Sequence, residues 1–351
     1  MPNLQAAILQ ALRSVQDPDL KRDLVSLGMI DQLLIKDHTI SFTIILTTPA
    51  CPLQEILKQE CIQAIRTQVT TDFNIAITTT AKVTTGHATA SVLLPHVKNI
   101  IAIASGKGGV GKSTLTTHLA LALVNYGVKV GILDADIFGP SIPTMWGCRG
   151  VRPPILEQEG KKYIQPIERY HVKLMSIGFL AEEAVVWRGP MASAALKQLL
   201  KETKWGPLDY LLIDLPPGTG DIPLTLVQTV AVTGVVVVTT PQKVALIDAV
   251  KAIAMFTKAH IKLPILGLVE NMSYFLPTTA QNTIHYIFGK EGGKQLAQQK
   301  AIPFLGQIPL LPAICQQGDD GISAVDTLPI FDTIAQKVAQ QISIQNAKAT
   351  F

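Results

Sequence analysis

Charged residues are scarce in this 351-residue chain. They make up 16% of it, against roughly 25% in ordinary soluble domains, while 48% is hydrophobic. So little charge fits an α/β protein with a buried parallel sheet, or a surface partly covered by a partner. Basic residues are scattered and the net charge is only +4, which argues against a nucleic-acid partner. The pairs Lys21-Arg22 and Lys161-Lys162 read as solvated faces. Only four cysteines occur, Cys51, Cys61, Cys148 and Cys315, too widely spaced for a disulfide framework. No basic segment precedes Asp17 and Asp19, so no secretion signal is read and a cytoplasmic protein is expected. One uncharged run, 222–242, is long enough to suggest a membrane span. It contains Pro223, Gln228, Gly234 and Pro241, and divides more naturally into a helix, a turn and the strand Val235-Val236-Val237-Val238. No membrane association is expected.

Against that background, Gly106-Lys107-Gly108-Gly109-Val110-Gly111-Lys112-Ser113-Thr114 stands out. It fits G-x-x-x-x-G-K-[ST], preceded by the apolar strand 100–104 and followed by helical spacing over 113–126. Glycines let successive backbone N–H groups turn toward a phosphate, and the helix start adds its positive end. Lys112 is expected to neutralise the outer phosphates of ATP and Ser113 to ligate Mg²⁺. Lys107 is an additional lysine that a P-loop does not need. The nine-residue pattern resembles the deviant P-loop of the nitrogenase-iron-protein and MinD/ParA group. That resemblance implies a homodimer in which Lys107 reaches the partner's nucleotide.

Other strand ends carry polar residues suited to the same site. Strand 129–134 runs into Asp134-Ala135-Asp136-Ile137-Phe138-Gly139-Pro140-Ser141. Asp136 is the candidate for positioning the attacking water, and Asp134 for supporting the metal. Strand 210–214 ends in Asp214-Leu215-Pro216-Pro217-Gly218-Thr219-Gly220-Asp221, a Walker B arrangement with Asp214 on the Mg²⁺ side. Gly218 offers a backbone N–H for the γ-phosphate, and the Pro-Pro-Gly segment reads as a switch. Asn271 follows strand 265–270 and carries the donor and acceptor that match an adenine edge. Trp187-Arg188-Gly189-Pro190-Met191 reads as a partner-facing loop.

The chain is long enough for two domains. Residues 1–85 read as a small α+β unit, 86–98 as a linker and 99–351 as the P-loop domain. In the first unit, helical spacing at Leu4, Ile8, Leu12 and Val15 precedes a strand at 40–47, a helix at 53–69 and a strand at 73–80. In the second, strands at 100–104, 129–134, 172–177, 210–214, 235–240, 265–270 and 304–308 alternate with helices at 113–126, 190–202, 221–231, 243–258, 290–299 and 329–345. That alternation predicts a doubly wound parallel sheet with its ligand at the carboxyl ends of the strands.

Six segments together resemble the Mrp/ApbC family of ATP-binding iron–sulfur cluster carriers. They are GKGGVGKST (106–114), DADIFGPS (134–141), WRGPM (187–191), DLPPGTGD (214–221), TTPQ (239–242) and ENMSYF (270–275). DPDLKRDLVSLGMI (17–30) and TTPACP (47–52) resemble the accessory domain often fused to such carriers. The resemblance implies a homodimer that carries a [4Fe–4S] cluster to recipient apoproteins and hydrolyses ATP slowly. One feature departs from the family. Its usual C-x-x-C after ENMSYF is missing, and no cysteine lies between Cys148 and Cys315. Iron–sulfur clusters are held by thiolates; the resembling accessory domain also has a cysteine within TTPACP, so cluster ligation by Cys51 and its simple burial at a turn both stay open. A metal-free dimeric switch stays open as a second reading. A positioning ATPase ranks third, because only Lys337 and Lys348 are basic after Leu328.

Overall fold

The computed structural model describes residues 2–69, 72–85, 93–180, 189–259, 261–277, 283–321 and 328–350. The 187–188 part of the expected partner-facing loop and most of the expected linker lie outside these residues. The chain divides into two compact units, Met1–Thr84 with Ala339–Phe351, and Thr85–Val338. The sequence pattern placed the C-terminal stretch with the second unit; from Ala339 onward it belongs to the first. Gln340 there donates to Asp19 Oδ1 at 2.7 Å, and Asn346 donates to the Thr84 carbonyl at 2.9 Å.

In the first unit, helices Pro2–Leu12 and Gln54–Gln68 pair with a three-stranded sheet of Ile30–Lys36, Thr39–Leu46 and Asn74–Ala81. The middle strand alternates strictly, burying Ile40, Phe42, Ile44 and Leu46. Helix Gln54–Gln68 presents Leu57, Cys61, Ala64 and Ile65 to the same core at helical spacing. Thr39–Leu46 and Asn74–Ala81 run parallel, as a crossover helix requires. Ile30–Lys36 was not legible in the sequence. A register shift between Asp31 and Leu34 breaks its alternation, and Gln32 takes a positive φ of 51°.

The second unit is built on an eight-stranded sheet. Its order is Ile167–Arg169, Val172–Ser176, Val130–Asp134, Leu208–Asp214, Val97–Ser105, Gly234–Thr239, Ile265–Glu270 and Phe304–Gln307. All neighbours are parallel except the first pair. The five central strands read as near-continuous apolar runs because both their faces are covered. From Val97–Ser105 the chain first winds to one side of the sheet and later to the other. That reversal opens a crevice at the carboxyl ends of the strands. The hairpin Ile155–Gln158 and Lys161–Ile164 and the helix Pro312–Asp320 were absent from the sequence reading. Neither stretch has a clean apolar period, and the helix buries none of its residues.

Candidate functional site

Strand Val97–Ser105 delivers the P-loop to helix Lys112–Asn125. Two of its glycines are required sterically. A Cβ on Gly106 would run into the Asp248 backbone, and one on Gly111 would meet the Asn271 carboxamide. Gly111 also takes φ 84° as the helix N-cap, a conformation that L side chains rarely adopt. The loop lines a cleft of about 360 Å³ together with Asp136, Ser141, Pro217 and Met272.

The sheet register explains why the carboxylates meet there. Ser176, Asp134 and Asp214 are direct partners across three neighbouring parallel strands. Asp214 is fully buried. Lys112 Nζ lies 2.8 Å from its Oδ1, and the Ser113 hydroxyl donates to its Oδ2 at 2.6 Å. Lys112 is 3.5 Å from Asp136 Oδ2, so one ammonium sits between two carboxylates. Burial raises the Asp136 carboxyl above its ordinary range, the Lys112 charge opposes that shift, and Asp214 adds to it. Asp134 is raised further, first by complete burial and then by the charge of Asp214.

Asp134 occupies a different environment from Asp136. Its Oδ1 accepts the Asp136 N–H at 3.1 Å, and its Oδ2 accepts the Ile142 N–H at 3.2 Å and the Ser176 hydroxyl at 2.9 Å. It therefore fixes the turn that presents Asp136. Asn271, expected at an adenine edge, donates to the Val110 carbonyl at 2.9 Å and accepts the Met272 N–H at 2.9 Å. Its carboxamide braces the P-loop. The Gly218 N–H, expected on a γ-phosphate, donates to the Ser105 carbonyl at 2.8 Å. Lys107 is exposed, as are Gly108 and Gly109.

Next to the P-loop cleft lies a larger cavity of about 610 Å³. Met145, Met272, Pro309, Leu310 and Ile314 supply apolar wall, and Thr114, Ser141 and Thr144 supply hydroxyls. The sequence reading missed it because four segments distant in the chain form it. It also passed over Ser176 and Thr116, both fully buried with hydroxyls on Asp134 and Asp214. A polar residue four positions after Lys112, inside an apolar helix, was the available signal for Thr116.

The donor atoms around Asp214 are all hard oxygens, from a serine, a threonine and carboxylates, with a lysine beside them. That set suits Mg²⁺ in preference to softer metals. The thiols are placed differently. Burial raises Cys51, pushes Cys61 up to about 12 and pushes Cys148 up to about 11, while Cys315 is exposed. Among the described residues no group of three or more His, Cys, Asp or Glu side chains is placed to hold a metal ion. Among them, too, no helix is long and apolar enough to cross a membrane.

Comparison with known proteins agrees with this architecture. Residues 96–344 match the family model described as NUBPL iron-transfer P-loop NTPase, and residues 5–78 match the model described as iron-sulfur cluster assembly protein. A Synechocystis protein named iron-sulfur cluster carrier protein is 41% identical over 347 residues, 96% of this chain and 98% of the relative. A Deinococcus radiodurans protein of the same name is 44% identical, over 97% of this chain and 96% of the relative. Among solved structures, a nucleotide-binding protein in complex with ADP from Archaeoglobus fulgidus is 39% identical. It has a TM-score of 0.57 and covers 65% of this chain and 88% of its own. With most of its length matched on both counts, the chain belongs to the iron-transfer P-loop NTPase family of iron–sulfur cluster carrier proteins.

Proposed function

We propose that this protein binds ATP with Mg²⁺, hydrolyses it slowly, and as a cytoplasmic homodimer carries an iron–sulfur cluster to recipient apoproteins. The observation that carries the nucleotide half is the convergence of Lys112 and Ser113 on the buried Asp214. The P-loop N–H groups of 106–114 cradle the phosphates, and Lys112 leaves the carboxylates to neutralise them. Ser113 and Asp214, with Asp134 in support, would hold Mg²⁺, which would supply charge stabilisation to the phosphates. Asp136 orients the water whose oxygen bonds to the γ-phosphorus as the bond to the ADP oxygen breaks. Asn271 keeps the loop in shape, and the neighbouring cavity of about 610 Å³ takes the nucleoside. Lys107, exposed at the loop, reaches the nucleotide of the second subunit and couples hydrolysis to dimer rearrangement. Residues 1–84 with 339–351 act as the accessory domain and 85–338 as the ATPase domain.

The cluster is cargo in this reading. With C-x-x-C absent, Cys51 is the thiol whose sequence context matches the family's accessory domain. Two such thiols per dimer leave cluster ligation to be completed by a recipient, so the cluster is held loosely. Two measurements test the proposal. Lys112→Ala removes the phosphate-neutralising charge and should weaken ATP binding at least tenfold or so; affinity near that of the parent chain refutes the nucleotide site. Anaerobic reconstitution should load iron and sulfide that chelators strip readily, and Cys51→Ser should abolish loading with ATP binding intact. Absence of iron from the parent chain refutes the carrier half and favours a metal-free switch.

A further inference from the structure

Thr116 is fully buried within helix Lys112–Asn125, whose buried residues around it include Leu115, Leu119 and Ala120. Packing alone would be satisfied by valine, which has the same shape without the hydroxyl. The hydroxyl is used twice. Its oxygen lies 3.0 Å from the Lys112 carbonyl and 3.0 Å from Asp214 Oδ1. A threonine hydroxyl has one proton, so these two acceptors share it. Helical geometry makes the arrangement possible. Positions 112, 113 and 116 fall on one stripe of the helix, and all three side chains end on the same carboxylate.

The two carboxylate oxygens differ in what holds them. Oδ2 accepts from Ser113 at 2.6 Å, and Oδ1 takes both Lys112 at 2.8 Å and Thr116 at 3.0 Å. When Lys112 turns to the phosphates, Oδ1 loses its charged partner. Thr116 remains within reach, and its proton shifts fully from the helix carbonyl to Oδ1. Without it, a buried carboxylate oxygen would be left unsatisfied and the carboxyl plane would be free to rotate. We infer that Thr116 is the positioning residue that holds the Asp214 carboxylate in register with Ser113 once Lys112 has left it. This rests on the reading of Asp214 as the Mg²⁺-side carboxylate.

The test is a Mg²⁺ titration of the full chain, read by the fluorescence of a labelled ATP and repeated in EDTA. Thr116→Val, which keeps the packing, should raise the Mg²⁺ concentration for half-saturation about tenfold, the scale of a lost hydrogen bond to a charged group. Its metal-free nucleotide affinity and melting temperature should stay close to the parent values. Thr116→Ser, which returns the hydroxyl, should restore the parent midpoint. If Thr116→Val does not fold, Thr116→Ala replaces it in the same titration. An unshifted midpoint in Thr116→Val, or equal loss of affinity in EDTA, overturns the inference. So does a midpoint in Thr116→Ser as displaced as that of the valine variant. Asp214→Asn separates the role of Thr116 from that of the carboxylate. If it shifts the Mg²⁺ midpoint and Thr116→Val does not, only the role of Thr116 falls. If Asp214→Asn leaves the midpoint unchanged, the reading of the metal side falls with it.

Discussion

Replacing Asp136 with asparagine should change binding and turnover in opposite directions. In the nucleotide-free arrangement Asp136 Oδ2 lies 3.5 Å from Lys112 Nζ. At an effective dielectric of about 20, that separation corresponds to about 5 kcal/mol of gross attraction. Desolvation of two largely buried groups cancels most of it, leaving about 1 kcal/mol net. ATP binding must break this contact to free Lys112, and it also brings phosphate charge toward the Asp136 carboxylate. Asparagine removes both costs at nearly constant shape. ATP affinity should therefore rise by about fivefold, the equivalent of that net energy. Turnover should fall by about a hundredfold, since the water loses its orienting carboxylate. In the parent chain the same group sets a pH limb. Burial raises the Asp136 carboxyl above its ordinary range, so activity should drop on acidification at a pH higher than an exposed aspartate would give. Asparagine should abolish that limb. Fluorescent-nucleotide titration and phosphate release across pH measure all three quantities. Unchanged turnover would move the water-positioning role elsewhere, and weaker ATP binding would refute the account of Lys112.

Lys107→Ala should weaken ATP-dependent self-association while leaving nucleotide affinity of the monomer intact, because a P-loop needs only Lys112; identical sedimentation of both proteins with a non-hydrolysable analogue would rule out the cross-dimer role. His118 is buried and stacked on Phe331, ring centroids 4.3 Å apart, and burial lowers its pKa from 6.5 to about 4. The folded state therefore binds fewer protons than the unfolded state between those values, and stability that is complete above pH 6.5 is lost as pH falls toward 4. The difference amounts to at most roughly 3 kcal/mol. Urea unfolding at pH 7 and pH 4.5 should show His118→Leu losing less stability than the parent, and equal losses would contradict the assignment.

The parts of this protein that were legible in its sequence are those that depend on neighbours in the chain. The P-loop is a strand, a glycine turn and a helix in succession, so Gly106 to Thr114 announced their chemistry directly. The central strands of the large sheet announced themselves through continuous apolar runs, and strand 265–270 was read to the residue. Roles set by register were harder to read. Asp134 and Asp136 sit two positions apart, yet one is locked behind Ser176 and the other faces Lys112, a distinction made by three strands in alignment. Asn271 and Gly218 likewise make hydrogen bonds that their place in the sequence does not announce. Asn271 spans to the Val110 carbonyl of the P-loop, and the Gly218 N–H pairs with the Ser105 carbonyl just before it, as polar groups without water take the partner at hand. The lost cysteine pair belongs to this contrast. Its absence is a local fact, visible at once after residue 275, but what replaces it depends on which thiols the fold leaves accessible. Burial raises the pKa of Cys51, Cys61 and Cys148, and Cys315 is the exposed one. The phosphate machinery is whole in the sequence and the thiolates that would complete a cluster site are not, which is why Cys51 is proposed to share a cluster with a recipient's thiolates.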